Sequence, residues 1–116
     1  MTDTNHKTPS DRELLDTAAK AAGLLDGAEW FEHELCYCVK GKAWDPLTDD
    51  GDEARLEAAL GLSLWWYPAC VLVGPSVCGA KTEIAYAEYF DQHAGDKQAA
   101  RRLAGVKAAA HIGAAL

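Results

Sequence analysis

The chain reads as a small α/β domain of the α+β kind, and three observations predict it. Apolar residues recur at helical spacing near both ends and again after residue 50. Two stretches between them are built of strand-forming residues, and 116 residues are enough for one core but too few for two. The composition agrees, at 49% hydrophobic and 25% charged, which is ordinary globular usage.

Met1 to Pro9 is polar and reads as a flexible lead-in, leaving residues 10–116 as a single domain. Ser10 and Glu13 have capping-box spacing, and Leu14, Leu15, Ala18, Ala19 and Ala22 form one helical stripe that stops at Gly23. From Glu29 to Lys40 the period becomes two. Phe31, Leu35, Tyr37 and Val39 fall on one face against Glu32 and Glu34 on the other, so a half-buried strand is expected, ended by Gly41. Trp44 to Gly51 has the Pro, Asp and Gly of a loop.

A second helix should follow, with Asp50 and Glu53 as its cap pair and acids in the first turn, where the helix N-terminus favours negative charge. Leu64 to Val73 predicts a strand in which Pro68 implies an edge, a bulge or a break. Gly74, Pro75 and Gly79 mark a turn. Residues 82–90 fit a third strand, paired with the second as a hairpin, although Glu83 to Tyr89 also fits a helix. The last helix starts near Asp96 and carries Ala99, Leu103, Val106, Ala110 and Gly113. The predicted order is helix, strand, helix, strand, strand, helix, with a three-stranded sheet covered by helices.

Net charge is −7, and its distribution is uneven. Residues 1–60 hold 14 acids against 6 bases, whereas 61–116 hold 4 against 5. An acidic face opposes direct nucleic acid binding, because phosphate contacts need Lys and Arg. No run approaches the roughly 18 apolar residues of a membrane span, and residues 1–9 lack the apolar stretch of a signal peptide. A protein that stays in the cytoplasm, with reduced cysteines, is therefore expected.

The most distinctive text is Trp44-Asp45-Pro46-Leu47-Thr48-Asp49-Asp50-Gly51-Asp52, continuing through Ala54-Arg55-Leu56. With the paired arginines and terminal Ile-Gly of Ala100-Arg101-Arg102 to His111-Ile112-Gly113, and the opening Glu13-Leu14-Leu15 to Ala21-Ala22-Gly23, it resembles the phage ABA sandwich domain family of tailed phages and prophages. The resemblance implies a three-layer α/β sandwich and a phage origin, in the cytoplasm of an infected or lysogenic host. It transfers no activity. Asp45 stands where the family commonly has Asn, and the stretches around Cys36 and Cys78 match no family motif.

Chemistry-bearing residues are sparse, and no cofactor, metal or catalytic residue is expected. Asp50, Gly51 and Glu57 fit part of an EF-hand register, but Pro46 at its first position offers no side-chain oxygen, so helix capping is the simpler role. Cys36 and Cys38 share a strand face with His33 nearby, yet Cys70 and Cys78 are separated by seven residues, against the two to four of tight zinc pairs, which favours buried thiols. His6, His33, His93 and His111 sit in no catalytic motif. Gly74 to Thr82 has the Gly, Lys and Thr of a phosphate loop at the wrong spacing.

Partner binding remains, through two groups of residues. The first is the acidic run Asp49, Asp50, Asp52, Glu53 and Glu57, which would meet a host protein bearing a basic, nucleic-acid-binding surface, as an inhibitor of a host defence or regulatory factor does. This requires the carboxylates to lie outside, clear of Arg101 and Arg102. The second is Trp65, Trp66 and Tyr67. Adjacent strand residues face opposite ways, so either some of the three are exposed as interface anchors, for a partner or a homodimer, or the strand is buried between helix layers.

Overall fold

The computed structural model describes residues 9–75 and 85–116. Its elements run α1 (Pro9–Ala21), β1 (Ala28–Phe31), β2 (Cys36–Val39), β3 (Lys42–Trp44), α2 (Asp50–Leu60), β4 (Leu62–Trp66), β5 (Cys70–Pro75), β6 (Tyr86–Tyr89), a short 3-10 turn (Phe90–His93) and α3 (Lys97–Ala114). The α+β class stands. The single three-stranded sheet does not: the described residues form two antiparallel three-stranded sheets, ordered β1-β2-β3 and β4-β5-β6.

The difference comes from turns that the sequence hides. The stretch from Glu29 to Lys40 is two strands, with Phe31 paired to Cys36 across Glu32-His33-Glu34-Leu35. That turn contains neither Gly nor Pro, and Leu35 supplies the left-handed residue at φ 54°. At Lys40 and Gly41 the chain reverses again with φ of 52° and 79°, the two positive values of a type I′ hairpin, so Gly41 opens β3 instead of a loop. Pro68 resolves as a break. Trp66 pairs with Val71, and the Tyr67 amide closes the intervening turn by donating to the Cys70 carbonyl at 2.8 Å. The strand predicted over 82–90 is present as β6, paired with β5, while residues 82–84 and most of the Gly74 to Gly79 turn lie outside the described residues; Gly74 and Pro75 belong to β5. His6 also lies outside them, and Ser10, expected as the cap of the first helix, falls within α1, which begins at Pro9.

Two apolar clusters meet on α3. One gathers Leu15, Ala18 and Ala19 of α1, Tyr37 and Trp44 of the first sheet, Leu56 of α2 and Val106 and Ala109 of α3. The other joins Val71 and Val73 of β5 with Phe90 and with Ala100, Ala104 and Ala108 of α3. A helix buried on several sides must be narrow, which is why α3 is rich in Ala and Gly. Gly113 is the clearest case: a Cβ there would run into the carbonyl oxygen of Thr17, so α1 and α3 touch backbone to backbone. Tyr37, in the same cluster, bonds the Asp16 carboxylate with its hydroxyl, and burial raises the pKa of Asp16 above the ordinary carboxylate value despite nearby Arg12.

Candidate functional site

The acidic segment after β3 folds upon itself. Thr48 donates to the Asp45 carboxylate at 2.6 Å, and the Asp49 amide donates to the Asp45 carbonyl at 2.8 Å. The cap of α2 is Asp49, whose side chain accepts from the Asp52 amide at 2.8 Å, so the cap lies one residue before the predicted Asp50. Asp52 in turn accepts from the Asp45 amide at 2.9 Å and from Arg55 at 2.8 Å. Asp49 thus meets an amide that the start of the helix leaves unsatisfied, Asp52 meets a loop amide and a cation one turn away, and Asp45 meets the Thr48 hydroxyl.

Arg101 and Arg102 of α3 close this segment from the other side. Arg102, itself only 9% exposed, donates to the Leu47 carbonyl at 2.9 Å and to Asp50 at 2.6 Å. Arg101 lies 3.2 Å from Glu53 and 3.1 Å from Glu57. The expected exterior acidic face is therefore corrected. Asp50, Glu53 and Glu57 are neutralised across the α2–α3 joint, and Asp52 and Glu53 are buried; only Asp49 and Asp50 keep exposed side chains, in an N-cap and an ion pair. The Trp44 to Leu56 segment and the Arg101-Arg102 pair, two of the blocks behind the family resemblance, are the two halves of one structural contact.

Glu53 is the extreme member of that joint. It is 1% exposed, and its Oε2 is a buried oxygen with no hydrogen-bond donor among the described residues. Burial, helped by the hydrogen bond that protonated Glu53 donates to Glu57 and by the charge of Glu57, pushes its pKa up to about 9, against the opposing pull of Arg101. At neutral pH Glu53 is thus a protonated donor to Glu57, while the bond to Glu57 raises Arg101 above its ordinary value. Its carboxyl lies so close to α3 that a Cβ on Gly105 would collide with Oε2, which explains a glycine in the middle of that helix.

The aromatic candidates behave differently. Trp65, Trp66 and Tyr67 are 39%, 47% and 51% exposed, and Tyr89 on β6 is 49% exposed. The alternative of a strand buried between two helix layers is not what forms: β4 is an edge strand whose only sheet neighbour among the described residues is β5. Cross-strand register places Trp65, Leu72 and Ala87 in one row on the face opposite Val71 and Val73, the core residues packed on α3. Trp66 leans on Phe90 at 6.0 Å between ring centroids.

The cysteine and histidine readings disperse. Cys36 and Cys38 lie on β2, Cys70 lies on the other sheet, and His33 sits in the β1–β2 turn instead of a strand; Cys78 and the loop around it fall outside the described residues. Among the described residues no group of three or more His, Cys, Asp or Glu is placed to hold a metal ion. One polar cluster had no sequence signal. The buried Glu88 carboxylate lies 2.8 Å from His93 Nε2 and 2.7 Å from Lys107 Nζ, tying β6 and the 3-10 turn to α3. A separate groove of about 900 Å³ is lined by Leu24, Val39, Trp44 and Leu56 with Asp52 and Arg55, which already pair with each other at the start of α2.

The fold and this surface define an α+β protein whose exposed aromatic hairpin is its most partner-like feature. Compared with protein-family models, with characterised proteins and with solved structures, the chain matches none. Among the described residues no helix is long and apolar enough to cross a membrane.

Proposed function

We propose that this chain is an accessory protein that acts by binding another protein, through the aromatic end of the β4–β5 hairpin. One observation carries the reading: three consecutive large aromatics, Trp65, Trp66 and Tyr67, stay 39% to 51% exposed at one end of a sheet. Large aromatics supply much of the energy of protein interfaces, because each removes a wide apolar surface from water with few rotors to freeze. The acidic run contributes by building the α2–α3 joint behind that surface, not by meeting a basic partner. The setting we propose, the cytoplasm of a bacterium carrying the corresponding phage, rests on the resemblance carried by the Trp44 to Leu56 segment with the Glu13 to Gly23 and Ala100 to Gly113 stretches.

The test is retention of a protein from bacterial lysate by the immobilised chain, beside a variant in which Trp65, Trp66 and Tyr67 are all alanine. A partner held by the wild type and lost by the folded triple variant supports the reading. Equal retention by both sinks it.

A further inference from the structure

An antiparallel sheet that meets water on one side normally alternates apolar with polar residues and keeps the polar ones outside. The second sheet of this fold departs from that rule. Its inner face, with Val71 and Val73, packs on α3, while its outer face carries Trp65, Leu72 and Ala87 in one row and Cys70 and Tyr89 in the next. The bond from the Tyr67 amide to the Cys70 carbonyl sets Tyr67 opposite Cys70 as well, so this last row reads Tyr67, Cys70, Tyr89. No charged residue falls in either row. Trp65, Tyr67, Ala87 and Tyr89 are exposed, whereas Cys70 between the two tyrosines is small and buried. Two aromatic residues thus flank a low floor.

We propose that this face binds a proline-rich segment of another protein in the polyproline II conformation, laid across the strands with one proline on Tyr67 and a second, three residues on, at Tyr89. The proposal rests on the aromatic hairpin being a protein-binding surface and names what that surface takes. Spacing supports it first. Tyr67 and Tyr89 stand two strand spacings apart, about 9.6 Å. A polyproline II helix completes a turn in three residues of ~3.1 Å each, about 9.3 Å, so the prolines of a Pro-x-x-Pro pattern return to one edge at that interval. Trp65, one row along from Tyr67, extends the aromatic wall at that end.

Hydrogen-bonding character points the same way. The Trp65 indole N–H and the Tyr67 and Tyr89 hydroxyls have no protein partner among the described residues, and the two rows hold no carboxylate or amide side chain to accept a bond. Polyproline II leaves its carbonyls unpaired and proline has no N–H, so such a segment brings acceptors and few donors. A sugar brings hydroxyls that donate as well as accept, which these rows serve poorly. Charge agrees too. On a chain of net charge −7 these rows are neutral, and an uncharged ligand meets them without stranding an ion in the contact. Aromatic-lined surfaces recognise proline-rich segments because the ligand is ordered before it binds and loses little entropy in docking.

Fluorescence anisotropy of a labelled decaproline peptide, titrated with the full chain from micromolar to roughly millimolar concentration, tests this. The expected result is saturable binding that a glycine-serine peptide of equal length does not show. Binding should weaken roughly tenfold or more in Tyr89→Ala and in Ala87→Glu, less in Tyr89→Phe, and stay unchanged in Phe31→Ala, an exposed aromatic of the first sheet. A peptide whose two prolines lie three residues apart should bind more tightly than one in which they lie four apart. Decaproline that does not bind, a glycine-serine peptide that binds equally, or indifference to both Tyr89→Ala and Ala87→Glu overturns the proposal, as does binding of a soluble glucan in place of the peptide. If no proline peptide binds while another protein is still retained in an aromatic-dependent way, the proline-rich ligand is removed and the binding surface stands.

Discussion

Replacing Glu53 by Gln should make this protein more stable, and the gain should depend on pH. Gln keeps the shape, offers Glu57 a hydrogen-bond donor and Arg101 an acceptor, and cannot ionise. In the folded chain burial pushes the Glu53 pKa up to about 9, while an unfolded chain holds it at the ordinary 4.5. Below pH 4.5 both states carry the proton, and this group imposes no penalty. As pH rises from 4.5 toward 9 the unfolded chain releases the proton and the folded chain retains it, so stability falls by about 1.4 kcal/mol per pH unit. At pH 7 the accumulated loss is on the order of 3 kcal/mol, and it stops growing once pH passes the folded value of about 9. Since a small domain is stable by only ~5–15 kcal/mol, the effect is large.

Urea denaturation followed by tryptophan fluorescence at pH 4, 7 and 9, with wild type and Glu53→Gln side by side, reads the difference directly. Titrations of groups away from the α2–α3 joint cancel between the two proteins. The two curves should coincide at pH 4 and separate as pH rises. Parallel pH profiles, or a Gln variant that is the weaker protein at pH 7, would mean that Glu53 is ionised and held by Arg101 as an ordinary salt bridge, and the buried-acid account would be wrong.

Further outcomes are expected from the same joint. Gly105→Ala should destabilise the fold by a few kcal/mol because the added methyl meets the Glu53 carboxyl, and in Glu53→Ala the same change should cost much less; a double-mutant cycle by chemical denaturation measures the coupling. Asp49→Ala removes the α2 cap and should cost about 1 kcal/mol, read as a lower urea midpoint with unchanged slope. Gly113→Ala forces α1 from α3 at the Thr17 carbonyl, and its melting temperature should fall well below that of Ala114→Gly, a change at the exposed helix end. Leu15→Ala empties a fully buried site shared by three helices and should cost ~2–5 kcal/mol.

What the sequence disclosed followed the strength of local signals. The three helices were legible because their stripes, the Gly23 and Gly61 stops and the Asp96 cap are written within a few residues. The strand count was not, because the turns that divide residues 28–44 depend on Leu35 and Lys40 adopting positive φ, conformations those residue types do not announce. Trp65 to Tyr67 were recognisable as a surface question from strand alternation alone, and the edge position of β4 answers it. The acidic run misled for a different reason. Charge counted along the chain cannot reveal that Arg101 and Arg102, about fifty residues later, would fold onto Asp50, Glu53 and Glu57. Ion pairing at long sequence separation is a property of the fold, and an acidic stretch looks the same whether it faces water or an arginine.

The central claim is that contact with a partner runs through aromatic surface while the carboxylates serve the interior, and the ionic-strength dependence of binding separates the two. With a retained partner in hand, affinity should change little as salt is raised through and beyond the physiological range, where a Debye length is about 8 Å, and should collapse on substitution of Trp65 and Trp66. An affinity that falls steeply with salt and survives those substitutions would contradict it.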